Sequence, residues 1–178
     1  MTLPIATGKW VIDPTHSSIG FIAKHLGFTK VRGSFEEYSL EVNVGDTLEN
    51  SSVSTTVNLN SVNTSNADRD EHLKGADFFG GSENPTMVFK SSSITGSADD
   101  FKILGDLTIN GKTMPVEFEA EFGGAVIDPF GNLKAGFEAK GEINRTDFGI
   151  NWNVPVGDGF LVSEKIKIEL DVQLTPAS

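Results

Sequence analysis

The sequence predicts an all-β protein, built either as a closed antiparallel barrel or as a sandwich. Three observations carry this. Segments rich in Val, Ile, Thr and Phe alternate with polar residues at a period of two. Turn residues separate them, among them many of the 19 glycines. Only one stretch has the marks of a helix. The 178 residues fit a single domain, with its core between about residues 10 and 174. A chain of this length can bury a core without covalent staples.

Alternation is clearest near the C-terminus. From Lys165 to Leu174 every even position is apolar and every odd one polar, as in a half-buried antiparallel strand. Val116, Phe118, Ala120 and Phe122 alternate with Glu117, Glu119 and Glu121. Ala135, Phe137, Ala139 and Gly141 alternate with Lys134, Glu138, Lys140 and Glu142. Val53, Thr55, Val57 and Leu59 alternate with Ser54, Thr56 and Asn58. Further strands are expected over 10–12, 17–24, 31–35, 38–44, 86–94 and 101–109. Asp13-Pro14 breaks the first strand in two, and 128–132 reads as a loop. Asn110-Gly111 joins two apolar runs and suits a type I′ turn, which needs positive φ at both central residues. Barrel closure would remove the exposed strand edges that pair with other chains.

The helical stretch is Asn66 to Gly75. Asn66 can cap its start, and Asp68 and Asp70 fill its first turn. Leu73, Phe78 and Phe79 would anchor the helix and an irregular tail ending before Pro85.

The formal net charge of -11 argues against nucleic acid, which needs a basic stripe. It predicts repulsion from an anionic membrane surface. No apolar run approaches a membrane span. With no cysteine, thiolate chemistry and zinc sites built on Cys are excluded. The N-terminus as written has no signal peptide, so the expectation is cytoplasmic, or periplasmic or secreted if this is a mature form.

The inward faces mix large Phe with small Ala, Thr and Gly. Ordinary core filling fits this composition. So does a barrel that retains space for a ligand. Alternation assigns the lining of such a space along each strand. Ile19, Phe21, Ala23 and Phe35 come from the first part of the chain. Val57, Leu59, Met87 and Phe89 come from the middle. Val116, Phe118, Ala120, Phe137, Ala139, Ile168 and Leu170 come from the last strands. Strands of ~9 residues rise about 30 Å, enough for a long apolar chain. Each buried CH₂ contributes roughly 0.8 kcal/mol.

Polar groups give weaker signals. His16 precedes Ser17, but neighbours on a strand point to opposite faces, and no nucleophile elbow is present. His25 continues the Phe21 and Ala23 face and ends it. His72 follows Asp68 by four residues, a spacing that suits either a helix-surface contact or a metal ligand pair. Arg69 lies between Asp68 and Asp70, and Arg145 lies in Asn144-Arg145-Thr146-Asp147. Both are read as structural. His25, Arg69 and His72 are the candidate contacts for a polar head group.

Five segments in order carry a family resemblance: WVIDPTHSSIGFIAKHLGFTKVRGSF (10–35), SVNTSNADRDEHLKGADFF (61–79), NPTMVFKSSSI (84–94), GDLTINGKTMPVEF (105–118) and INRTDFGINW (143–152). Together they resemble the YceI-like family of bacterial lipocalin-like, polyisoprenoid-binding proteins. The resemblance implies an extended eight-stranded antiparallel barrel with one short helix. It implies a tunnel for a long-chain isoprenoid lipid, such as a polyprenyl phosphate or an isoprenoid quinone, in a transport, storage or stress-response role. It implies no catalytic residue, no metal and no required cofactor, and often a homodimer. A fatty-acid-derived amphiphile is the alternative ligand. A metal-dependent enzyme using His16, His25 and His72 is the alternative function.

Overall fold

In the computed structural model, residues 4–80 and 85–177 are described. The end of the expected irregular tail, 81–84, lies outside them, as does the first residue of the 84–94 segment. The strands are β1 (Gly8–Ile12), β2 (Ser18–His25), β3 (Thr29–Phe35), β4 (Tyr38–Val44), β5 (Ser52–Asn58) and β6 (Val62–Asn63). After the helix α1 (Ala67–Lys74) come β7 (Thr86–Ser97), β8 (Asp100–Ile109), β9 (Lys112–Ile127) and β10 (Leu133–Asn144). A small hairpin of β11 (Pro155–Val156) and β12 (Gly159–Phe160) precedes β13 (Lys165–Pro176).

Pairing resolves the choice between sandwich and barrel. The sheet runs β1-β4-β5-β7-β8-β9-β10-β13, and β1 pairs with β13 to close it. The structure is an eight-stranded closed antiparallel barrel with a single helix. The first three staves are each broken in two. β1 and β2 both pair with β13, at its C-terminal and N-terminal halves respectively. β3 and β4 pair with β2 and β1. β5 and β6 pair in turn with β4 and β3.

Each break is filled by side chains that stand in for the lost ladder, since buried backbone groups must find partners. At the first, Asp13 caps a 3₁₀ turn over Pro14–His16, its Oδ1 accepting from the Thr15 N–H at 3.0 Å. The Asp13 N–H donates to the Gln173 carbonyl at 2.8 Å. The Gln173 N–H donates to the Ser17 hydroxyl at 2.9 Å. At the second, the Ser61 hydroxyl accepts from the N–H groups of Glu36 and Glu37 at 3.1 and 3.0 Å. The third break places Leu59 in a 3₁₀ turn after β5 rather than on the strand as expected, although it stays buried.

Turn chemistry holds where it was legible. Asn110 and Gly111 have φ of 52° and 77° and close a two-residue hairpin with Ile109 opposite Lys112. Asn66 Oδ1 accepts from the Arg69 N–H and starts α1. β9 runs 16 residues, well beyond the expected 116–122. A register shift at Gly136/Phe137 lets it bend.

The barrel has two ends. One carries α1, the β11–β12 hairpin and the β2–β3 turn. The other is closed by the 45–51 loop, whose Leu48 is fully buried against Ile94, Phe101 and Ala120. Ser51 holds that loop, its hydroxyl donating to the Thr47 carbonyl and accepting from the Gly45 N–H. The β1–β13 seam is backed by Trp10, buried with Leu40, Val42, Val44, Ala135, Val172 and Leu174.

Lys134 reaches across this seam to Asp13 Oδ2 at 2.9 Å, and His16 Nδ1 lies 3.0 Å from the same oxygen. The Lys134 ammonium, then His16, hold the Asp13 carboxyl well below the usual carboxylate range. Folded Asp13 therefore binds its proton more weakly than unfolded Asp13. Its contribution is complete above the unfolded pKa of about 4 and is lost as pH falls below it. Asp13→Asn is expected to cost about 1–3 kcal/mol at neutral pH. Urea unfolding at neutral pH and at about pH 3 checks this, because the gap between wild type and variant must narrow in acid.

Candidate functional site

The barrel interior holds two adjoining apolar chambers with a shared set of side chains, a waist, between them. The first is lined by residues of β2, β4, β5, β7, β8, β9, β10 and β13. The second lies toward the α1 end and is lined by β2, β3, α1 and its tail, β10 and the 145–166 segment. Ile19, Met87 and Ile168 belong to both linings and form the waist. The centre of a water-sized sphere has about 110 Å³ in the first chamber and about 100 Å³ in the second. A single water needs only roughly 10–15 Å³ on this measure. The first lining contains one polar side chain, Thr55. Water would find almost no partners there, so the space suits an apolar guest.

Most of the residues assigned by alternation face these chambers. Val57, Phe89, Phe118, Ala120, Phe137, Ala139 and Leu170 line the first. Phe21, Ala23, Phe35 and Leu59 line the second. Val116 is the exception. It is buried in the core with Phe118 and Phe148 and lines neither chamber. Leu40, Val42, Ile94 and Phe101 also line the first chamber. Alternation within 38–44 would have found the first two. Ile150 and Val162 line the second, and their irregular segment offers no period to read.

The chambers survive the many Phe rings because glycines on neighbouring strands receive them. A Cβ at Gly33 would lie 2.3 Å from the Phe21 ring, and one at Gly141 would lie 2.8 Å from Phe118. Phe89 sits against Gly105 in the same way. Each ring occupies the place of a missing side chain and lies along the wall. Phe89 and Phe118 then meet edge to face at 5.2 Å between centroids, a favourable aromatic geometry.

The polar candidates are dispersed. His25 is half-buried at the end of β2, bridged to Val162, and lines neither chamber. His72 Nε2 meets Asp77 Oδ2 at 2.9 Å, rather than Asp68. Its ring stands edge-on to Trp152 and Phe78, with centroids 4.7 and 5.1 Å away. Arg69 pairs with neither flanking acid. Its Nε and Nη2 donate to the hydroxyl and carbonyl of Thr64, each at 2.8 Å, and Asp70 accepts from the same hydroxyl. His16 ends the 3₁₀ turn before β2 and His25 ends β2 itself, roughly 25 Å apart at the usual strand rise. Among the described residues no group of three or more His, Cys, Asp or Glu is placed to hold a metal ion.

Among the described residues, Arg145 is the one charged group in either chamber lining. It is 4% exposed. Its Nε donates to the Ser163 carbonyl, Nη1 to those of Ile150 and Trp152, and Nη2 to that of Val162, at 2.9–3.3 Å. Burial pulls the guanidinium pKa down, opposed by nearby Glu164. Arg145 thus ties the 150–163 segment over the second chamber through main-chain carbonyls.

The profile of the YceI-like domain matches residues 10–174. The chain belongs to this family. Among curated relatives, Protein YceI of Escherichia coli is 39% identical over 136 residues, covering 76% of this chain and 71% of that one. Among solved structures, BcnA of Burkholderia cenocepacia superposes with a TM-score of 0.77 at 20% identity, covering 91% of this chain and 98% of that one. A polyisoprenoid binding domain from Saccharophagus degradans, implicated in plant cell wall breakdown, superposes with a TM-score of 0.63 at 13% identity. It covers 94% of this chain and 98% of that domain. At these identities the two structures establish the shared barrel.

Gly141→Val tests the seating of the rings. It should push Phe118 into the first chamber, cost about 1–3 kcal/mol and reduce uptake of an apolar dye such as Nile red. Adding Phe118→Leu should restore most of both, and a double-mutant cycle with no coupling would refute the contact.

Proposed function

We propose that this YceI-like protein binds a long-chain isoprenoid lipid, a polyprenyl phosphate or an isoprenoid quinone, and carries or stores it without catalysis. One observation carries the reading. Two apolar chambers lie next to each other inside a closed barrel and share the waist residues Ile19, Met87 and Ile168. A guest that fills both must be long, narrow and almost wholly apolar. Membership of the YceI-like family supports this, as does the likeness in fold to the polyisoprenoid binding domain from Saccharophagus degradans.

The α1 end is the side from which a guest would enter. No residue of α1 is fully buried. It is held by Leu73 and by the Thr64 contacts of Arg69 and Asp70. The opposite end is stopped by Leu48. Elements that move to admit ligands come from the less stable parts of a fold. Trp152 lies beside Phe78, a residue of the second lining, and should report a guest by its fluorescence.

Native mass spectrometry of protein purified without detergent, followed by organic extraction, tests the reading. An added mass that extracts as a prenyl lipid is expected. An apo mass that persists after incubation with polyprenol and with ubiquinone would overturn it. An extracted fatty-acid derivative would assign the chambers to that class instead. Met87→Trp should block the waist. A guest chain that withdraws four CH₂ groups from a chamber loses about 3 kcal/mol, roughly 100-fold in affinity. Short prenols confined to one chamber should bind as before.

A further inference from the structure

The net charge of -11 conceals a strong asymmetry. At the α1 end two loops lie side by side. The β2–β3 turn and the 154–163 loop that contains the β11–β12 hairpin are joined by the Leu26 N–H donating to the Leu161 carbonyl at 2.9 Å. The Lys24 N–H donates to the Ser163 hydroxyl at 2.9 Å. These loops hold five of the nine large apolar residues that stand exposed among the described residues. Phe28 is 75% exposed and Phe160 54%, with Leu26, Val154 and Val156 around them.

The outer wall beneath these loops is basic. Lys24 pairs in register with Lys30, Ile22 with Arg32, and Lys167 with Ile22. Register partners share a face, and Lys165 shares the face of Lys167 by alternation. Lys24, Lys30, Lys165 and Lys167 line one shallow groove, which also contains Glu142 and Glu164. With Arg32 there are five exposed cations. Among the described residues, none of the five lies within ion-pair distance of a carboxylate. Lys167 stands opposite Glu142 in register, but Lys24 and Lys30 stand directly opposite each other, and like charges so placed on a ladder cost stability. The acids gather elsewhere on the outer wall, in the register row Glu121, Glu138 and Asp171. There Glu121 pushes the Glu138 carboxyl pKa up.

Protruding aromatics beside unpaired lysines are the chemistry of attachment to an anionic lipid surface. Rings enter the headgroup layer, and cations meet its phosphates. We propose that this end of the barrel docks on an anionic bilayer, seating Phe28 and Phe160 among the headgroups with the lysine wall against the surface. The local charge reverses the repulsion expected from the net charge. This deepens the lipid-binding reading, because the docked end is the one that holds the second chamber and α1.

Vesicle sedimentation tests it, with vesicles that contain no isoprenoid, so the outcome is separate from chamber occupancy. The wild type should sediment with phosphatidylcholine vesicles containing phosphatidylglycerol and stay in solution with phosphatidylcholine alone. Raising NaCl from about 50 mM to about 500 mM should release it. Lys165→Gln with Lys167→Gln, and separately Phe28→Ser with Phe160→Ser, should each weaken binding roughly 10-fold. Both double variants should unfold at the wild-type temperature and take up polyprenol as the wild type does. Absent sedimentation with the phosphatidylglycerol vesicles, equal binding to both vesicles, or variants that bind like the wild type would each overturn the proposal. A concentration-dependent dimer that both variants lose, without vesicle binding, would assign this face to a second copy and overturn it equally.

Discussion

The pairing of β1 with β13 is the constraint on which the rest of the molecule depends. Only three register pairs make that seam, Trp10 with Pro176, Val11 with Thr175 and Ile12 with Leu174. Without them the sheet would be an open ribbon with two long edges, and its inner face would need another sheet to cover it. With them the inner face covers itself and encloses a space. The seam is short because β13 must also pair with β2 lower down. Asp13, Pro14 and Ser17 make that sharing possible by turning the first stave and satisfying Gln173 across the gap. Trp10 seals the seam from inside and the Lys134–Asp13 pair from the rim.

The enclosed space has its character because of how bulk is placed. Side chains can fill a barrel of this width. Here several are drawn back against glycines on the adjacent strand, so apolar surface is presented without closing the passage. The same residues therefore serve stability and function together. Rings packed against backbone contribute to the core, and the hollow they leave is smooth, dry and long. The waist consists of Ile19, Met87 and Ile168, of which Met87 is the adaptable member because its thioether chain is unbranched.

Much of this was legible in the sequence, for identifiable reasons. Period-two alternation put every residue it assigned except Val116 on a chamber wall, although much of the lining, such as Leu40, Ile94 and Phe101, was not among those assigned. Asn110-Gly111 and Asn66 acted through local backbone chemistry, so their neighbours sufficed to read them. The five ordered segments carried the family, and the domain match over 10–174 accords with them. The failures have a common cause. His72 was paired with Asp68 by helical spacing, yet its partner Asp77 lies in the irregular tail. Val116 has the right parity but lies where β9 leaves β10 and the 145–148 turn fills the gap, so it packs into solid core. Ile150, Val162 and the β11–β12 hairpin sit in a segment ordered by Arg145 through main-chain carbonyls, which leave no trace in residue type. Net charge, a sum over the chain, carries no information about where the charges lie.

The buried Leu48 has a consequence for any linear guest. A barrel stopped at one end is a well rather than a pipe. A chain can enter it only tail first and must leave head first. Its depth then acts as a ruler. A tail shorter than the well leaves part of it vacant and gains less on entry, whereas a longer tail strands methylenes in water at the rim. Affinity would rise with each repeating unit until the tip reaches the wall of Ile94, Phe101 and Ala120 that Leu48 backs, and then level off. The stopper, at the end away from α1, would thereby set the chain length that the whole molecule prefers.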